Sequence, residues 1–125
     1  MSHPAFQLIR VDSQDGYPVV AIQCTELRAD AMIARLEKEL EDYLTSSGVN
    51  QFVLDLSPVH FMASSGLRVL IVLRKRLHEL GGRFTMCGVH PHVASVFKTT
   101  RLFTESFDYL PDAAAAAEQL KKSPA

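Results

Sequence analysis

"QFVLDLSPVHFMASSGLRVLIVLRKRLHELGGRFTMCGV" (Gln51–Val89) is the stretch that decides the fold. Its opening is apolar from Phe52 to Leu56, interrupted only by Asp55. A short apolar run of this kind reads as a strand covered on both faces, the habit of parallel sheets. From about Ser65 to Leu80 the apolar period becomes helical. Leu70, Leu73, Leu77 and Leu80 fall on one stripe with Val69 beside it, and this stripe is expected to face the sheet. Gly81-Gly82 stops the helix. "RFTMCGV" (Arg83–Val89) then reads as the next strand. Strand, helix and strand in this order imply a right-handed crossover between two parallel strands.

The flanks extend the same pattern. "AFQLIRV" (Ala5–Val11) alternates as a strand does, Asp15-Gly16 is a hairpin signal, and "VVAIQC" (Val19–Cys24) is the returning strand. Asp30 is placed to cap a helix running to about Ser46, with Ile33, Leu36, Leu40, Tyr43 and Leu44 at helical spacing and Gly48 just past its end. On the other side, Pro91 opens a short helix. A weaker strand lies near "SFDYL" (Ser106–Leu110). Asp112 caps a final alanine-rich helix that reaches about Lys122 and docks through Leu120. The order ββαβαβαβα predicts one α/β domain over residues 1–125, with a core of about 5–120. Its sheet is mostly parallel, four- to five-stranded, and carries an N-terminal hairpin and about four helices.

The chain has 125 residues, 47% hydrophobic and 22% charged, with a net charge of -1. That is enough chain for one sizeable core, and the charge gives no attraction to nucleic acid or anionic lipid. "MSHPAFQLIR" lacks the basic and apolar regions of a secretory signal, and no apolar run approaches the ~20 residues of a membrane span. Cys24 and Cys87 are too few for a disulfide framework and read as buried thiols of a cytoplasmic protein.

The joint at Ala63-Ser64-Ser65-Gly66 places two hydroxyls at the start of a helix. Either serine is positioned to cap it. Neither spacing fits the glycine-flanked elbow of serine hydrolases, which argues against acyl-transfer catalysis. Arg68, Lys75 and Glu79 form the face opposite the leucine stripe. Val72 falls among them and Ile71 lies at their edge, so two apolar residues point outward and suggest a docking surface. Cys87-x-x-His90, with His92 nearby, is too short a set for zinc, and no metal or cofactor is expected. "RKR" (Arg74–Arg76) reads as a solvated helix face.

"FVLDLSPVHFMASSGLRVLIVLRKRLHELGGRFTMCGVHPHVASVFKTTRLFTESF" resembles the central and C-terminal parts of STAS domains, in particular the bacterial anti-sigma-factor antagonists. The likeness extends from about Val19 to Leu120. It rests on the apolar strand with Asp55, the Ser-Ser-Gly corner, the basic helix ending in Gly-Gly, and "VFKTTRLF", all in the family's order. The resemblance implies a non-enzymatic regulator. Its partner is an anti-sigma factor that is also a serine kinase of the histidine-kinase-like ATPase type. Phosphorylation of Ser64, or of Ser65 as the second candidate, switches the antagonist off, and a serine phosphatase resets it. The implied partner face comprises Glu26, Arg28, Ala63, Ser64, Ser65, Gly66, Arg68, Ile71, Val72 and Lys75, on a monomer or weak dimer.

Three positions depart from the family. Ala63 stands where the corner usually carries aspartate. "TELR" replaces Gly-Glu-Leu-Asp, so Thr25 and Arg28 stand for the glycine and the aspartate, while Glu26 and Leu27 remain. Arg28 is then a candidate to pair with a phosphate on Ser64. The same departures suggest two alternatives: a STAS scaffold or transporter-associated subunit that is never phosphorylated, and a small-ligand-binding module.

Overall fold

The computed structural model describes residues 6–99 and 109–122. In chain order they form β1 (Ile9–Gln14), β2 (Tyr17–Ile22), β3 (Glu26–Leu27), α1 (Asp30–Ser47), β4 (Gln51–Asp55) and β5 (Phe61–Met62). There follow α2 (Ser64–Glu79), β6 (Arg83–Cys87), α3 (Pro91–Thr99), β7 (Tyr109–Leu110) and α4 (Ala113–Lys122). A five-stranded sheet has the order β1-β2-β4-β6-β7, antiparallel only between β1 and β2. The expected architecture of hairpin, parallel sheet and crossover helices is the one observed. Among the described residues, no helix is long and apolar enough to cross a membrane.

The hairpin turns at Asp15 (φ 53°) and Gly16 (φ 85°), both left-handed as a type I′ turn requires. A two-residue turn leaves no slack, so pairing runs up to Gln14↔Tyr17. β1 therefore takes in the polar Asp12–Gln14 and starts at Ile9, later than the expected strand over residues 5–11; Ala5 lies outside the described residues. β2 likewise begins at Tyr17 and stops before Cys24.

Phe52, Val53 and Leu54 of β4 are all fully buried, as a strand with two covered faces must be. Alternation divides them. Phe52 and Leu54 join Val20, Ile22 and Met86 in the larger core, beneath Leu36 and Leu40 of α1, Leu70, Leu73 and Leu77 of α2, and Phe97 of α3. Val53 joins Val19 and Cys87 on the opposite face, where Ala116, Ala117 and Leu120 of α4 cover them. The small alanines let α4 lie close to the sheet, and Asp112 Oδ1 caps it by accepting from Ala115 N (2.9 Å).

Helix ends explain most boundary differences. α1 closes as expected on Gly48, left-handed at φ 70°, whose N–H donates to Leu44 O. Asp30, however, is the first helical residue and caps nothing, because Ala29 holds the cap position. Its carboxylate sits instead at the positive end of the helix dipole. α2 ends in a Schellman arrangement: Gly82 N donates to Leu77 O (2.8 Å) and Gly81 N to His78 O (3.1 Å), with Gly81 at φ 76°. Leu80, expected in the buried stripe, is 40% exposed, because the helix has already stopped and the cap residue turns outward. β6 ends at Cys87 rather than Val89, where Gly88 turns left-handed. Of the strand expected over residues 106–110, Tyr109–Leu110 pairs with β6, and 106–108 lie outside the described residues.

Candidate functional site

β3 and β5 are the two strands that sequence patterning does not reveal. Two residues are too few for any periodicity to register. They pair in parallel, Glu26 opposite Phe61 and Leu27 opposite Met62. Thr25 O accepts from His60 N (2.8 Å) and Phe61 N (3.1 Å), and Leu27 O accepts from Ala63 N (2.9 Å). "TELR" thus runs alongside "HFMA", and continuing the register by one step sets Arg28 beside Ala63. Glu26, Arg28, Ala63 and Ser64, dispersed in the sequence, meet at one corner.

The backbone of Ala63 (φ -81°, ψ 168°) supplies the N-cap of α2, and neither serine makes a side-chain cap hydrogen bond. This corrects the expectation that Ser64 or Ser65 caps the helix. The reason lies in chain direction: Ala63, tied to Leu27, already occupies the extended cap position, so Ser64 is the first helical residue. Ala63 O accepts from Gly66 N (2.9 Å) and Leu67 N (3.3 Å). Ser64 is exposed and Ser65 half-buried. Among the described residues neither hydroxyl has a hydrogen-bond partner.

Gly66 is buried rather than displayed. A Cβ there would lie 2.9 Å from Met62 Cγ, 3.0 Å from Leu27 Cβ and 3.1 Å from Leu27 O. Its contribution is close approach, letting the first turn of α2 rest on β3 and β5, and it offers no side chain to a partner.

Beyond the corner, Arg68, Val72 and Lys75 are exposed along α2, with Val72 at 45%. Ser64 and Lys75 are about 16 Å apart along the axis at 1.5 Å per residue. Ile71 corrects the outward reading: it is half-buried and packs against the larger core. The buried arc of α2 is wider than the leucine stripe alone. Val72 borders a shallow groove between α1 and α2, with Leu40, Leu44 and Leu73 in its floor. Arg76, read as part of a solvated face, instead reaches across this groove. Its guanidinium donates to both carboxylate oxygens of Glu41 (3.1 to 3.3 Å). That hydrogen bond and the charge of Glu41 hold the Arg76 pKa above its ordinary value.

Arg28 is already engaged: it pairs with Glu26 (3.1 Å) and stands over the Phe61 ring at 5.9 Å. Phe61 lies 5.5 Å from the His92 ring. His60 and His90 stack at 4.2 Å, and His90 Nε2 lies 2.8 Å from Ser57 O. Stacked rings present their faces to each other, which is the wrong geometry for shared metal ligation. Among the described residues no three His, Cys, Asp or Glu side chains gather as a metal would require. Cys87 is buried, and desolvation, followed by the charge of Asp55 and a hydrogen bond to it, pushes its thiol up to about 12. No sequence signal announces the ring stacks or the Arg76–Glu41 bridge, since they join elements distant in the chain.

The class defined by this fold and corner is confirmed by comparison. Residues 19–113 match the STAS domain family, and the chain belongs to it. A Bordetella bronchiseptica protein named "Putative anti-sigma factor antagonist BtrV" is 31% identical over 113 residues, covering 90% of this chain and 94% of its own length. The crystal structure of an anti-sigma factor antagonist from Mycobacterium paratuberculosis superposes with a TM-score of 0.74 at 25% identity, covering 90% of this chain and 92% of its own. A single-residue variant of RsbS from Moorella thermoacetica has the same fold, with a TM-score of 0.74 at 24% identity over 93% of this chain and 97% of its own.

Proposed function

We propose that this protein is an anti-sigma-factor antagonist: a non-enzymatic cytoplasmic regulator whose binding to an anti-sigma serine kinase ends when Ser64 is phosphorylated. The observation that carries the reading is the state of the Ser64 hydroxyl. It is exposed on the first helical residue, free of any capping duty, and at the head of the Arg68–Val72–Lys75 strip. With no base of its own the hydroxyl is a poor nucleophile, but its exposure lets a kinase's catalytic base take the proton as the oxygen attacks the γ-phosphorus of ATP and ADP leaves. Ser65, half-buried, is the less accessible of the two.

Phosphate adds about -1.5 to -2 charges at pH 7. At the N-terminus of α2 the dipole and the free N–H groups favour that charge, and no acidic side chain competes in the first turn. The fold accommodates the modification while the partner, seated on the same corner, is displaced. A serine phosphatase restores binding.

The test is phosphosite mapping after incubation with ATP and the anti-sigma kinase of the same organism, with Ser64→Ala and Ser65→Ala variants alongside. Phosphate on Ser64, and kinase binding lost in Ser64→Asp, are the expected results. An unmodified Ser64, or a Ser64→Asp variant that binds as well as the wild type, would refute the switch.

A further inference from the structure

Five cations of the described surface are already neutralised by acids. Arg10 pairs with Asp12, Arg28 with Glu26, Arg35 with Glu39, Lys38 with Asp42, and Arg76 with Glu41 and Glu79. Arg68 and Lys75 are exceptions: both are exposed on the strip below Ser64, and neither has an ionic partner among the described residues. They flank Val72, an exposed apolar side chain at the lip of the groove between α1 and α2. Of the acids nearby, Glu41 and Glu79 are held by Arg76, which leaves Glu37 of α1, in the groove lining, as the acid without an ion pair among the described residues. At the corner itself Ala63 contributes no carboxylate, and the acid of Glu26 is cancelled by Arg28.

We infer that the strip is the seat of an acidic protein face, one that sets carboxylates against Arg68 and Lys75 around an apolar side chain resting on Val72. The inference rests on the antagonist reading and names the chemistry of the partner's contact surface. Charge complementarity of this kind sets orientation and association rate more than affinity. A second copy of this chain is a poorer fit: of the acids in the groove lining Glu41 is paired with Arg76, so a copy would set only Glu37 against the two cations. The same arrangement gives the switch a second lever. Ser64 and Arg68 are four residues apart on one helix face, so a phosphate on Ser64 lies within reach of the Arg68 guanidinium. The modification then adds negative charge and also takes from the partner one of the two cations it uses.

The experiment measures association of the unphosphorylated full chain with its anti-sigma kinase across a salt series. Wild type is compared with Arg68→Glu/Lys75→Glu and with the milder Arg68→Gln/Lys75→Gln. The glutamate pair is expected to slow association about ten- to a hundredfold and to flatten its salt dependence; the glutamine pair falls between. Thermal midpoints of both variants are expected to match the wild type, since neither residue has a partner to lose. In the phosphorylated chain, Arg68→Gln is expected to raise the second phosphate pKa in a ³¹P NMR titration. Kinase binding by the wild type that is insensitive to salt and to both variants overturns the inference and leaves the antagonist reading standing. Absence of any wild-type binding removes both. Binding to phosphatidylserine vesicles, or self-association abolished by the glutamate pair, would assign the strip to a different occupant and overturn it as well.

Discussion

A Cβ on Gly66 would stand 2.9 Å from Met62 Cγ and 3.1 Å from the backbone oxygen of Leu27. The side chain can yield; the backbone, pinned by Ala63 N to Leu27 O, cannot. Gly66→Ala is therefore expected to cost about 1–3 kcal/mol in urea unfolding, despite improved helix propensity. Ser64→Ala should be nearly neutral, within about 0.5 kcal/mol, because no cap bond is lost. Asp112→Ala, which does lose one, should cost about 1 kcal/mol. Reversal of that order would mean that Ser64 caps α2 after all. Cys87 supplies a pH-dependent test. Its folded pKa of about 12 lies above the ordinary 9.0, so the neutral thiol favours the folded state. That contribution is present below pH 9 and is lost as pH rises toward 12. The stability gap between wild type and Cys87→Ala should accordingly narrow from pH 8 to pH 10.5, whereas a constant gap would mean the thiol titrates normally.

The elements differ in what holds them. Glu39 is a nearly buried acid on α1; its Oε1 accepts from Leu8 N at 2.8 Å and from Gln7 N at 3.1 Å, and it also faces Arg35. It ties the chain entering β1 to the middle of α1. Its removal leaves two backbone donors without their acceptor, so Glu39→Ala is expected to cost about 2 kcal/mol and to speed amide exchange at Gln7 and Leu8. The Arg76–Glu41 bridge has better geometry, yet its partners are 37% and 44% exposed. Solvent screening makes Arg76→Ala the smaller loss. If unfolding ranks Arg76→Ala as the costlier of the two, burial is not the deciding factor. Neither bond is legible in the sequence, where Glu39 is one more acid in a charged helix. What is legible is whatever local chemistry fixes: the turn at Asp15-Gly16, the doubly covered β4, and helix stops at Gly48 and Gly81-Gly82. The capping rule misleads at Asp30 and at Ser64 because both follow an alanine that the preceding strand already holds extended.

At the scale of the molecule, the strands run β2, β4, β6, β7 across the sheet in one direction. Among the described residues the strand order does not reverse, and such a reversal is what opens a ligand crevice at the strand ends of open α/β sheets. The topology sets the corner apart from that sheet, on the separate β3–β5 pair. It also limits how far a signal at the corner can travel. The corner stands on Leu27, Met62 and Leu67, at most 3% exposed, and on the short β3–β5 pair rather than on the main sheet. A close-packed support of this kind does not deform gradually. A phosphate on Ser64 should therefore change charge without repacking the core. Amide shifts between unmodified and phosphorylated protein are expected to concentrate at residues 25–28 and 60–68, with a melting midpoint moved by less than about 5 °C. Shifts spreading into β1, at the sheet edge, or into α4, on the opposite face, would show that a phosphate on Ser64 acts by conformational change rather than by local charge.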